Sequence, residues 1–279
     1  MGEFANMLHD EFVSPLFKIS FYTMVFLFGI SIGSFLNVVI LRLPRNESLI
    51  KRSSHCMTCG AKIRARDLIP VFSWLALKGK CHSCGEKISP RYPIVESLNG
   101  LLFVLTFWVF DINAESIITC ILMSLLIIVG FMDWDTMEID ERILGMIALL
   151  VIPSQIFTDQ STIEQRIIGA LIISVPFFII GEVSRGFIKK KFGEDFRAIE
   201  LGDTLLMIVA GAYLGTKAII VSAFLGIIIG AVAGLINKII SGESKFAFGP
   251  FLSVGIAIGA LWGNDIAQWY LNLLTAPVQ

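Results

Sequence analysis

The 279-residue chain is 55% hydrophobic and only 16% charged, with a net charge of −1 and a mean hydropathy of +0.78. Soluble domains carry about 25% charged residues, so an ordinary water-soluble globular fold is excluded. Several apolar runs approach the ~20 residues that cross a bilayer as a helix. Backbone amides in hydrocarbon must find partners within their own segment, so these runs are expected to be helices.

In chain order, the first 16 residues hold no Lys or Arg and carry Glu3, Asp10 and Glu11. A cleavable signal would place positive charge there, so the first apolar run, 17–39, is read as a retained helix. Further spans are expected at 94–110, 117–132, 143–157, 167–187, 205–214, 218–236 and 248–274, eight in all. The short gaps at 111–116 and 215–217 predict tight hairpins. Numbering the gaps alternately places Lys18, Arg166 and Lys217 on one side and the other nineteen basic residues on the opposite one. By the positive-inside bias both termini lie outside and the segment after the first span lies in the cytoplasm. The expected architecture is an all-α polytopic membrane protein of about eight transmembrane helices. Its divisions are a first helix (1–41), a small cytoplasmic domain (42–91), and a seven-helix membrane domain (92–279).

The segment 42–91 is basic and too polar to span, and it holds four of the five cysteines. They fall as Cys56-x2-Cys59 and Cys81-x2-Cys84, two knuckles that supply the four thiolates of a structural zinc site. Gly60 and Gly85 follow the knuckles and suit tight turns. In a reducing compartment disulfides are the weaker alternative. A closed four-sulfur site leaves no position for substrate, so its zinc is structural. His55 and His82 read as solvent-exposed neighbours, and Cys120, alone in an apolar run, as a small buried hydrophobe.

Acids at the edge of a span are functional candidates, because charge near hydrocarbon is costly. Asp133 closes the third apolar run and Asp203 precedes the sixth, both at the expected cytoplasmic boundary. Two carboxylates meeting across a bundle would share a proton and activate water in the manner of an aspartic protease. The plainer reading is that helix ends commonly carry Asp, and that Asp203 favours a helix N-terminus. Asp135, Glu138, Asp140 and Glu141 compete with Asp133, and Glu200 with Asp203.

Longer stretches carry a resemblance. Gly33-Ser34-Phe35-Leu36-Asn37-Val38-Val39 followed by Arg42-Leu43-Pro44, the paired knuckles with Asp67-Leu68-Ile69-Pro70 between them, Arg91-Tyr92-Pro93-Ile94-Val95-Glu96, and Phe248-Gly249-Pro250-Phe251 together resemble the type IV prepilin peptidases, or leader peptidase/N-methyltransferases. The resemblance implies that Asp133, opening an Asp-x-Asp stretch with Asp135, and Asp203, closing a Gly-x-Gly-Asp motif with Gly202, are the catalytic pair. Glu200 stands where the motif's first glycine is expected, Asp140-Glu141 where Pro-Asp is expected, and Leu205 where a lysine is common. It further implies cleavage of the basic leader of prepilins or pseudopilins at the cytoplasmic face of a bacterial inner membrane. N-methylation with S-adenosylmethionine would follow, with Glu96 and Arg91–Tyr92 as possible participants or else as anchors of the second helix. Glu138, Glu141 and Glu200 are expected to attract the basic leader. Membrane lipid is the expected surrounding, and no nucleic-acid partner is expected. Two other classes stay open on residues alone: a transporter using Asp133 and Asp203 as ion ligands, and a scaffold acting through its zinc domain. The three histidines, His9, His55 and His82, share no plausible face with a serine and an acid, which argues against a serine or cysteine hydrolase.

Overall fold

The computed structural model describes residues 7–9, 13–51, 53–158, 161–192, 197–242 and 246–275. Glu3, Asp10, Glu11, Arg52 and Lys245, counted above, lie outside the described residues. The described chain is helical, with only isolated bridges outside the helices. Six helical segments are long and apolar enough to cross a membrane: Pro15–Arg42, Arg91–Phe110, Ala114–Thr136, Ile163–Lys191, Thr216–Ile240 and Gly249–Thr275. The other two expected spans are helices of 17 residues (Glu141–Phe157) and 14 residues (Leu201–Leu214). Both fall short of the ~20 residues a perpendicular crossing requires. The chain forms two compact units, Met1–Ile128 and Val129–Gln279.

In the first unit, α1 (Pro15–Arg42) runs antiparallel to α3 (Arg91–Phe110). Pro at its start and the Ser14 hydroxyl accepting from the Phe17 amide begin α1, a preorganised helix start. Lipid supplies no hydrophobic drive between helices, so small residues and buried polar bonds hold the pair. A Cβ on Gly29 would lie 2.7 Å from the Gly100 Cα, and one on Gly33 would lie 2.7 Å from the Glu96 Cα. Only glycine lets the backbones come this close. The Asn99 side chain donates to the Gly29 carbonyl at 2.7 Å and accepts from Ser124 of α4 (Ala114–Thr136) at 2.9 Å. Between α1 and α3 lie the cysteine segment and a short helix α2 (Phe72–Ala76).

In the second unit the last turns of α4 join α5 (Glu141–Phe157), α6 (Ile163–Ile172), α7 (Ser174–Phe192), α8 (Leu201–Leu214), α9 (Thr216–Ser241) and α10 (Gly249–Thr275). The expected continuous span at 167–187 is broken at Ile173. Pro176 has no amide to offer the Ile172 carbonyl and its ring crowds it, which ends α6 there; no charged side chain sits at the break. The 215–217 hairpin is a single-residue turn, with Gly215 at φ 79° between α8 and α9. Gly255, Gly259 and Gly263 seat α10 closely on Ala218, Ser222 and Gly226 of α9.

The short helix α8 is the hub, touching α5, α6, α7, α9 and α10, with Leu206, Met207 and Ala210 essentially buried. Arg166, on α6, grips its far end. The guanidinium is buried and donates to the Ala212 carbonyl at 3.1 Å, the Tyr213 carbonyl at 2.8 Å and the Ser154 hydroxyl at 2.8 Å. It satisfies helix-end carbonyls that would otherwise be orphaned. Arg166→Leu is expected to destabilise this unit by roughly 2–3 kcal/mol, since bonds to a charged donor are among the stronger ones. A lowered melting temperature of the detergent-solubilised protein would report it.

Asp140, placed by the resemblance where proline is expected, caps α5. It accepts from the Arg142 amide at 2.9 Å and forms an ion pair with the Arg142 guanidinium at 2.6 Å. The Arg142 side chain holds its carboxyl below the usual carboxylate range. A depressed folded value means that the stabilisation is present above the ordinary carboxylate range and is lost as pH falls through the folded one. Asp140→Ala is expected to cost about 1 kcal/mol at neutral pH. The gap in melting temperature from the parent should close on acidification.

Candidate active site and cysteine cluster

Asp133 lies in the last turn of α4 and Asp203 at the third position of α8. The helix thus begins two residues before Asp203 rather than after it. Both residues are buried, at 5% exposure each. A buried carboxylate needs donors or a shared proton. The Asp133 Oδ2 accepts from the Gly249 amide at 2.8 Å, the first residue of α10. The Asp203 Oδ2 accepts from the Glu200 amide at 3.3 Å, at the cap of α8. Each carboxylate therefore sits on the positive end of a different helix, where free amides and the helix dipole favour an anion.

Asp133 and Asp203 line one cavity of about 210 Å³, together with Glu138, Ile139, Glu200, Leu201 and Gly202. A Cβ on Gly202 would lie 3.1 Å from the Ile139 Cβ, so this glycine keeps the cavity wall close. Gly130, one turn before Asp133, faces Pro250 of α10 across the contact that brings the carboxylate to the Gly249 amide. Glu138 and Glu200 are exposed and add negative charge to the wall. Asp135 is exposed and outside the cavity lining. A larger cavity of about 300 Å³, lined by Ser161, Gln165, Lys217 and Asp265 among others, lies by the C-terminal end of α8. It lacks a buried acid pair, so the smaller cavity is the candidate active site. Gly249 was visible in sequence only as part of a motif. Gly and Pro at a helix start were the local signal, but an amide donor leaves no mark in a sequence.

The four paired cysteines meet. Their sulfurs all lie within 4.8 Å of one another, and Cys56 Sγ to Cys84 Sγ is 3.9 Å. Zn–S bonds of about 2.3 Å in a tetrahedron put sulfurs about 3.8 Å apart, so the cluster can hold a metal ion. The two knuckles are the same turn made twice. The amides of Gly60 and Gly85 donate to the Cys56 and Cys81 carbonyls, each at 2.9 Å, with φ of 69° and 73°. The cluster also sets the thiols at odds. Cys56 is drawn down to about 6 by the backbone amides of Cys59 and Thr58. Cys84 is pushed up to about 12, the pull of the Glu86 amide being outweighed by desolvation and by the Cys59, Cys81 and Cys56 side chains. A divalent cation removes that conflict by taking all four as thiolates.

The Bacterial Peptidase A24 N-terminal domain model matches residues 27–110, and the Type IV leader peptidase family model matches residues 120–235. The chain belongs to the type IV leader peptidase family. Asp133 and Asp203 of this leader peptidase fall inside the second match. A prepilin leader peptidase/N-methyltransferase of Neisseria gonorrhoeae is 32% identical over 276 residues, covering 90% of this chain and 94% of that protein. The Myxococcus xanthus protein of the same name is 31% identical over 235 residues, 84% of this chain and 67% of its own. That of Bacillus subtilis is 28% identical over 254 residues, 90% and 98% respectively. No solved structure gives a significant match. With six apolar helices of spanning length, this family member is a multi-pass membrane protein.

Proposed function

We propose that this chain is a prepilin leader peptidase of the bacterial inner membrane in which Asp133 and Asp203 activate water. The supporting observation is that two buried carboxylates from different helices line one cavity, each anchored on a helix N-terminus. With one proton between them, the ionised carboxylate takes a proton from water as its oxygen attacks the scissile carbonyl. The protonated partner donates to the carbonyl oxygen. Collapse of the tetrahedral adduct breaks the C–N bond, and the proton taken from water passes to the departing amine. One hydroxyl of the adduct returns its proton to the carboxylate that first donated, so the pair is regenerated with one proton. The exposed Glu138 and Glu200 at the cavity wall suit a basic leader.

In this reading the basic segments face the cytoplasm, both termini lie outside, and the eight helical segments all take part in crossing. Cys56, Cys59, Cys81 and Cys84 hold a structural zinc ion, which fixes the fold of the segment between α1 and α3 and takes no part in hydrolysis. The relatives are also named N-methyltransferases. We extend that activity to this chain, with S-adenosylmethionine as the methyl donor of the new N-terminus.

Purified protein incubated with a prepilin and S-adenosylmethionine tests both activities by mass spectrometry. Loss of the leader and gain of one methyl group on the new N-terminus are expected; an unprocessed prepilin would overturn the peptidase reading. Gly249→Ala is a sharper probe of the site. A Cβ there would lie 2.8 Å from the Asp133 Oδ2, so the carboxylate must turn away and lose its amide. A misplacement of about 1 Å costs on the order of 10²-fold, and the loss should fall on kcat, with KM little changed.

A further inference from the structure

We propose that residues 68–77, between the two cysteine knuckles, form a re-entrant segment that dips into the lipid bilayer beside α1 and α3. The inference rests on the reading of those helices as membrane spans.

The stretch Leu68-Ile69-Pro70-Val71-Phe72-Ser73-Trp74-Leu75-Ala76-Leu77 carries one polar side chain, Ser73. Leu68, Ile69, Phe72 and Leu75 are 44–59% exposed. Contiguous apolar surface of this kind marks an interaction site rather than a face turned to water.

The depth of the stretch identifies what covers it. The Val71 amide donates to the Glu96 Oε2 at 2.7 Å, and Ser34 of α1 bonds the same carboxylate. Glu96 itself lies level with Gly33, whose Cβ would sit 2.7 Å from the Glu96 Cα. Arg42, the basic end of α1, is nine residues beyond Gly33, about 13 Å at 1.5 Å per residue. The residues between Ser34 and Arg42 are apolar except for Asn37, which is buried and bonded to the Tyr92 carbonyl. Glu96 leans toward the start of α3, as side chains on a helix do. Even so, the Val71 amide lies well below the level of Arg42, alongside the apolar part of α1.

Five amides of the stretch meet the demand that such depth imposes. Irregular chain survives in hydrocarbon only when its amides have partners. Phe72 donates to Pro70, Ser73 to Ile69, Leu75 to Val71 and Leu77 to Ser73. Val71 takes a side-chain partner instead. It adopts φ 63°, a costly conformation for a β-branched residue, and so turns its amide to the buried Glu96. The flanks change character abruptly: Arg64 and Arg66 precede the stretch and Lys78 and Lys80 follow it, matching the anionic headgroups where the chain would enter and leave.

A diazirine-bearing aliphatic amino acid placed at position 75 of the full-length protein in phospholipid nanodiscs tests this by photolysis and mass spectrometry. Position 28, on an exposed part of α1 (63%), is the lipid-facing reference, and position 86 beside the second knuckle is the aqueous one. A phospholipid adduct at 75, as at 28 and unlike 86, is expected, with or without peptidase activity. Lipid at 28 but only water addition at 75 would overturn the re-entrant segment alone. So would an adduct to an added prepilin, or to a second copy of the chain, in place of lipid. Absence of lipid at both 28 and 75 would overturn the membrane reading with it.

Discussion

Asp133→Asn and Asp203→Asn are each expected to lower the rate of prepilin cleavage by on the order of 10²–10⁴-fold, the usual worth of a positioned acid or base. Asn keeps the shape of the side chain. In Asp133→Asn a carbonyl oxygen still accepts from the Gly249 amide, so the α4–α10 contact should survive. What disappears is a group that can give up or accept a proton. The two effects should be far from additive, because either change disables the same shared proton. The rate of the parent should be bell-shaped in pH: both carboxylates protonated leaves no base, and both ionised leaves no acid. Retention of the parent's rate by either variant would exclude the two-carboxylate mechanism. Zinc content and melting temperature should match the parent, which separates this loss from misfolding.

Removing the metal ligands should act in the opposite way, on structure first. The parent is expected to carry one zinc per chain, and Cys56→Ser with Cys81→Ser almost none. Zinc binding by four thiolates contributes about 10–16 kcal/mol in small peptides, and a segment of about fifty residues has little other core to rely on. The chain between α1 and α3 should therefore open to protease in the double variant, with cuts between residues 43 and 90. The aspartate pair belongs to the other compact unit, so the helices from α5 onward should resist protease as before. A metal-free parent with the same protease resistance would exclude the zinc site.

Much of this was legible because hydrocarbon restricts the choices. Apolar runs of spanning length located the long helices, and Cys-x2-Cys repeated after twenty-one residues anticipated a cluster that the fold closes. Asp133 and Asp203 stood out as acids at the edges of apolar runs. What stayed hidden was written in geometry rather than composition. Glu200-Leu201-Gly202 reads as a loop, yet the cap at Glu200 starts α8 early and carries Asp203 onto the helix. The break at Ile173 lies in an unbroken apolar run, where only Pro176 hints at it. Arg166 read as one of the few basic residues outside, whereas three groups at the ends of α5 and α8 draw it into the interior. The partner of Asp133 is a backbone amide 116 residues away, which no side-chain pattern announces.

Helix α8 holds Asp203 near its first turn and is grasped by Arg166 at its last. Ten residues separate Asp203 from Tyr213, about 15 Å of rigid rod. Such a rod works as a lever: a small tilt about the grasped end is magnified into lateral travel at the acid. A change at the Arg166 end is therefore expected to be felt in the spacing of the two aspartates. Natural variation around Ser154, Thr158 and Arg166 would then tune turnover while leaving every group at the point of cleavage unchanged.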